Sequence, residues 1–233
     1  MSTIIPAILP TSREDLEDKL WKLQGVSTSV QIDLVDGSFG APKTWLGGDL
    51  QSDAAVEKPL PFLGTMAYEV DIMARDPEPL MRHFVREGVT RVTVHAALIL
   101  KLPEFIANFQ REYGHDKDFA PGLLSLGLAI GIDTDMSLIE PYIEQCDYVQ
   151  FMGIAHIGKQ GEPFDTRVLP KIAAFRKKYP EMPIQVDGGV SLTTAPSLLT
   201  AGVSRIVVGS AFWNAGTVGE QMEKFEELTQ IYS

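Results

Sequence analysis

The chain has 233 residues, 45% of them hydrophobic, with 20 basic against 31 acidic side chains and a net charge of −11. That length suits one globular domain with a large core, and an acidic chain is not built to bind nucleic acid or an anionic membrane surface. The single cysteine, Cys146, excludes an intramolecular disulfide and a thiolate metal cage.

Ile4–Leu9 is an apolar run that predicts a first strand. Before it, Met1-Ser-Thr-Ile-Ile-Pro lacks the basic segment and long apolar run of a signal peptide. No later stretch approaches the ~20 apolar residues of a membrane span, so a cytoplasmic protein without a membrane partner is expected. Ser12 stands three residues before Asp15, the spacing of a capping box, and Leu16, Leu20 and Leu23 stripe the helix that follows. Ser29–Leu34 predicts strand two, with Gln31 and Asp33 on one face, ended by Asp36-Gly37. The segment 38–62 shows little periodicity beyond a helical turn near 50–57, and the sequence leaves open whether it closes over a site. Leu63–Met73 predicts strand three, with Glu69, Asp71 and Met73 in phase, and Pro77 opens a helix running to Glu87.

Arg91–His95 is strand four, 103–113 a helix, Leu123–Gly131 strand five, and 133–146 a helix ending at Cys146. Tyr148–Met152 is strand six. The loop Gly153–Pro163 leads to a helix over 166–179, strand seven at Ile184–Val186 and a helix over 193–201. Strand eight at Arg205–Val208 and a final helix over 218–232 complete the chain. Short apolar strands alternating with helical segments predict an α/β fold, a (β/α)₈ TIM barrel in which residues 1–233 form one domain. An open nucleotide-binding sheet would need a glycine fingerprint after strand one, and residues 9–15 contain no glycine.

Chemistry concentrates at the C-terminal ends of those strands, where a barrel carries its site. Ile184-Gln-Val-Asp-Gly-Gly and Arg205-Ile-Val-Val-Gly-Ser-Ala each end an apolar run in backbone that a ligand can approach closely. Gly188, Gly189, Gly209 and Ser210 can offer N–H groups to a phosphate, helped by a helix starting after Ser210; ordinary tight turns use glycine in the same way. Asp33 and Asp187 end apolar strands far apart in the chain. Two such acids facing across the mouth suit removal of a proton beside a ketone and its return from the other face. Asp71, Gln31, His95, His156, Met73 and Met152 fall near the same rim, where capping, rim hydrogen bonding or core filling are the ordinary alternatives.

Six segments then share one pattern: Pro6-Ala-Ile-Leu, Ile32-Asp-Leu-Val-Asp-Gly-Ser-Phe, Val70-Asp-Ile-Met-Ala-Arg-Asp-Pro-Glu, Thr93-Val-His-Ala, Gln185-Val-Asp-Gly-Gly-Val and Val208-Gly-Ser-Ala-Phe. In this order and spacing the chain resembles the ribulose-phosphate 3-epimerase family over nearly its whole length. The resemblance implies a barrel of the ribulose-phosphate-binding type that epimerises D-ribulose 5-phosphate to D-xylulose 5-phosphate. It makes Asp33 and Asp187 the acid–base pair and metal ligands. It places the phosphate on Gly188, Gly189, Gly209 and Ser210, with Gly158 in the substrate loop, and Met73 and Met152 beside the substrate. His95 and His156 are expected to line it. Family members often associate through outer helices, so a homo-oligomer is expected, with Phe212 or Trp213 as candidate contacts or core residues.

The departures are specific. The family has histidine at the positions of Gln31 and Asp71, serine at Ala7 and methionine at Val35. With both imidazoles replaced, Asp33, Asp71, Asp187 and the Gln31 carbonyl form an all-oxygen set, which favours Mg²⁺ or Mn²⁺ over Zn²⁺ if a metal binds. Two other functions stay open: a lyase or decarboxylase on a phosphate-binding barrel, although strand three lacks the lysine of that pattern, and a non-catalytic phosphosugar-binding protein.

Overall fold

The structure, a computed structural model, describes residues 2–38, 43–45, 59–114, 124–158, 160–214 and 216–232. Eight parallel strands pair in chain order and close into a barrel: β1 Thr3–Ile8, β2 Ser29–Val35, β3 Ala67–Met73, β4 Arg91–His95, β5 Ser125–Ile130, β6 Tyr148–Met152, β7 Ile184–Asp187 and β8 Arg205–Val208. The α-helices are α1 Arg13–Leu23, α2 Glu78–Arg86, α3 Leu102–Tyr113, α4 Val168–Lys178, α5 Ala195–Thr200, α6 Ser210–Trp213 and α7 Val218–Tyr232. None of them is long and apolar enough to cross a membrane. The expected capping of α1 is present: Ser12 Oγ accepts from the Asp15 N–H at 3.1 Å, and the Asp15 carboxylate accepts in turn from Thr11 N–H at 2.9 Å.

Two expected elements differ. Strand three starts at Ala67 rather than Leu63, because Thr65 and Met66 N–H groups both bond back to the Phe62 carbonyl and turn the chain first. The helix expected over 133–146 is two 3₁₀ pieces, Met136–Leu138 and Glu140–Gln145. Pro141 sits where a continuous helix needs an N–H, and its ring would clash with a carbonyl of the preceding turn. The turn expected near 50–57, and most of 38–62, lie outside the described residues.

The barrel wall has two unlike faces. Outward side chains such as Ile32, Val70, Val149 and Ile206 join Leu20, Phe84 and Phe175 in one buried apolar cluster between strands and helices. Phe212 is buried in it, so it is core rather than a contact between copies. Inside, Ile5, Ala7 and Val207 form only a small apolar group. Much of the rest of the interior is polar, with Gln31, Glu69, Asp71, Thr93, Gln150 and Gln185 all buried.

β5 makes room for this interior. Tyr148 crosses the barrel, its hydroxyl 2.8 Å from Thr93 Oγ1 and the Arg91 guanidinium 4.0 Å from its ring centroid. A Cβ on Gly127 would fall 2.2 Å from that ring. Gly127→Ala is therefore expected to destabilise the fold by about 1–3 kcal/mol through overpacking, seen as a lower urea midpoint at unchanged slope. A variant as stable as the parent would mean that the ring shifts without cost.

Candidate active site

Asp33 on β2 stands in register beside Asp71 on β3, and Asp187 is the last residue of β7. β8 and β1 lie between β7 and β2, so Asp187 and Asp33 reach the mouth from separate parts of the wall. One oxygen from each of these three carboxylates lies within 4.8 Å of the others. Gln31 joins two of them: its Nε2 donates at 2.8 Å to Asp33 Oδ1 and at 2.7 Å to Asp187 Oδ2. Asp71 is held by Gln150 Nε2 at 2.8 Å and by His95 Nε2 at 2.9 Å.

Burial, then the negative charges of Asp187 and Asp71, hold the Asp33 carboxyl well above the ordinary range. Burial and Asp71 push Asp187 up to about 7, against the Gln31 hydrogen bond that favours its ionised form. Without a counter-charge, carboxyls this close retain at least one proton near neutral pH. One ionised and one protonated carboxyl is what paired base and acid chemistry requires.

Of the expected oxygen set, Asp33, Asp71 and Asp187 fit a divalent cation, and Gln31 does not. Its Oε1 is turned away and accepts from Gln185 Nε2 at 3.2 Å. Rotated the other way, that oxygen would face carboxylate oxygens across the 2.7 and 2.8 Å now spanned by hydrogens.

Beyond the acids, the mouth is a cavity lined by Met73 and Met152, by Gly158, Gly188, Gly189, Gly209 and Ser210, and by Ala7, Ile154, Gln160 and Glu162. Gly188 and Gly189 take φ of +95° and +67°. A Cβ on Gly189 would meet Phe164 Cα at 2.5 Å, so both the conformation and the space require glycine there. The helix expected after Ser210 is the single turn α6. Its dipole is small, and an anion here meets individual N–H groups rather than a helix end.

The two histidines do not reach this cavity. His95 is buried beneath the rim as the partner of Asp71. His156 points outward, its side chain 78% exposed and paired with Glu162 at 3.2 Å. Sequence reading missed Gln160, which reaches from the β6–α4 loop to the Ala7 carbonyl at 3.4 Å. It also assigned no role to the interior residues Glu69, Gln150, Gln185 and Arg205. A polar side chain in phase with Asp33 or Asp187 along the same or an adjacent strand was the available signal.

The model of the ribulose-phosphate 3 epimerase family matches residues 3–213. The chain belongs to the ribulose-phosphate 3-epimerase family. It is 32% identical over 148 residues to ribulose-phosphate 3-epimerase of Schizosaccharomyces pombe, spanning 64% of this chain and 60% of that one, less than two thirds of that relative's length. Against the Bacillus subtilis enzyme of the same name it is 26% identical over 219 residues, spanning 91% and 93%. Membership makes the chain an isomerase of the epimerase type. Two solved structures share the fold at low identity. KGPDC from Streptococcus mutans has a TM-score of 0.67 at 10% identity, covering 100% of this chain and 99% of that one. The 3-hexulose-6-phosphate synthase of Salmonella typhimurium has 0.64 at 12%, covering 99% and 100%.

Ala7 lines the cavity wall without a hydroxyl. The Ala7 carbonyl there accepts from Trp213 Nε1 at 2.7 Å, which ties β1 to α6.

Both raised carboxyls make ionisation oppose folding. The stability that Asp187 contributes is complete below the ordinary value of 3.8 and is lost as pH rises through about 7. Cation-free protein in chelator is expected to melt higher at about pH 6 than at about pH 8, with Asp187→Asn reducing the difference. Melting curves independent of pH would remove the burial argument. Gly189→Ala adds about 1–3 kcal/mol of strain where the backbone must approach an anion, and is expected to weaken phosphosugar binding about tenfold. Calorimetric titration reads this, and unchanged affinity would put the phosphate elsewhere.

Proposed function

We propose that this epimerase interconverts D-ribulose 5-phosphate and D-xylulose 5-phosphate by moving the C3 proton between Asp33 and Asp187. The bridged acid pair carries the reading: two carboxyls from separated strands, joined through Gln31 and, in the absence of a cation, both shifted upward, which suits them to exchange protons with a substrate. A hydrogen beside a ketone is acidic enough for a carboxylate to remove once the developing oxyanion is stabilised. The partner carboxyl returns a proton from the other face and inverts the carbon.

Met73 and Met152 lay apolar surface against the reacting carbon and exclude water from it. The phosphate takes the N–H groups of Gly188, Gly189, Gly209 and Ser210, with the Gly158 loop closing over it. Asp33, Asp71 and Asp187 would hold a divalent cation, which would supply positive charge to stabilise the developing oxyanion, and this all-carboxylate set suits Mg²⁺ or Mn²⁺ better than Zn²⁺.

The reading includes a cytoplasmic, homo-oligomeric enzyme. A rice relative bears the name "Ribulose-phosphate 3-epimerase, cytoplasmic isoform" at 25% identity, and exposed apolar side chains such as Trp21 and Ile231 support contact between copies.

Incubation with ribulose 5-phosphate in D₂O is expected to place deuterium at C3 and to form xylulose 5-phosphate, with and without added Mn²⁺ compared side by side. Asp33→Asn and Asp187→Asn should each slow C3 exchange by about 10²–10⁴-fold. Saturable binding without label would make the protein a phosphosugar binder, and carbon–carbon cleavage products would make it a lyase. Full exchange in Asp187→Asn would remove the acid–base assignment.

A further inference from the structure

Below the acids, the barrel interior is one hydrogen-bonded ladder whose direction can be read step by step. Arg205 Nε donates at 2.9 Å to Gln185 Oε1, and Arg205 Nη2 and Arg91 Nε both bind Glu69 Oε2. A guanidinium carries only donors, so the Gln185 oxygen must face Arg205 and its Nε2 must face inward. That Nε2 meets oxygens alone: Gln150 Oε1 at 2.9 Å, Gln31 Oε1 at 3.2 Å and Glu69 Oε1 at 3.3 Å. With their oxygens held from below, Gln31 and Gln150 must both present nitrogen upward. Gln31 then donates to Asp33 and Asp187, and Gln150 donates to Asp71. Reversing any one amide alone would set donor against donor or oxygen against oxygen at its own contacts.

We propose that Arg205 is a positioning residue: through Gln185 it fixes the polarity of Gln31 and Gln150, so that all three carboxylates of the site receive a donated N–H and Gln31 acts as a donor and not as a metal ligand. The catalytic consequence rests on the epimerase reading above; the geometric one does not. A side chain at the opposite end of the barrel interior thereby sets the distance and orientation of the acid pair without touching substrate.

Gln185→Glu tests this with little change of shape. Its carboxylate keeps Arg205 as partner but offers only oxygens inward, so Gln31 and Gln150 must turn over and aim their carbonyls at the acids. The expected result is a fall in kcat for C3 exchange of about tenfold or more with KM within about threefold, together with Mn²⁺ affinity, read by calorimetry without substrate, that rises about tenfold. General damage would lower both. The double variant Gln31→Met/Gln185→Glu separates inverted amides from simple added charge: the ladder predicts that the gain in Mn²⁺ affinity shrinks relative to Gln31→Met alone, whereas a gain that persists in full overturns it. Arg205→Met should reproduce the loss in kcat, with Arg205→Lys recovering part of it; exchange within about twofold of wild type in Arg205→Met overturns the role of Arg205. Mn²⁺ affinity lowered about tenfold by Gln31→Met would restore Gln31 as a ligand and end the proposal. If the wild-type protein exchanges no C3 hydrogen, the epimerase reading fails, while the Mn²⁺ titrations still decide the direction of the ladder.

Discussion

Three carboxylates crowd into a space where burial penalises the charge of Asp33 and Asp187, and the inner face of the barrel is arranged around that strain. A buried charge is tolerated by a proton, a cation or donated hydrogen bonds. One layer lower, Glu69 takes the ionic solution, with Arg91 and Arg205 on one carboxylate oxygen. The upper layer has hydrogen bonds from amides and from His95 instead. Amides stabilise a carboxylate without neutralising it, which leaves the cluster able to take up a proton or a cation when chemistry needs one.

This arrangement depends on moving the apolar packing elsewhere. Barrels of this class usually fill their interior with branched aliphatic side chains. Here Ile5, Ala7 and Val207 form a small apolar group on the β8–β1 side. The main apolar cluster lies outside the strands, against the helices. Stability thus resides mostly in a layer that does not touch the site, and the interior is free to carry an amide network that must be satisfied as a whole or fail as a whole.

The same division explains what was legible in the sequence. Outward strand residues and helix stripes have strong periodicity, so the barrel could be read from them. Asp33 and Asp187 stood out because each interrupts or ends an apolar run at the side where barrels do their chemistry. Gln150 and Gln185 lie in phase with Asp187, but that phase alone does not tell what a glutamine inside a strand meets across the barrel. The orientation of Gln31 is set by Arg205, 174 positions later in a 233-residue chain, and no local pattern contains it. His95 and His156 look alike in sequence, each following an apolar strand; one is buried on Asp71 and the other faces solvent. At 133–146 the apolar spacing read as helical, and Pro141 outweighed it.

Asp71 and Gln31, at the two positions where the family resemblance expects histidine, act on the acid pair together. The aspartate at position 71 adds a negative charge that raises both Asp33 and Asp187, whereas the amide at position 31 hydrogen-bonds to both and lowers them. With the aspartate alone, the acid pair would be driven further toward its protonated forms. With the amide alone, it would lose the part of the upward shift that Asp71 adds to burial and to the mutual repulsion of the pair. Asp71 is itself restrained by His95 and Gln150, so its charge acts from a fixed place. Charge at Asp71 and hydrogen bonding at Gln31 therefore pull both acids in opposite directions.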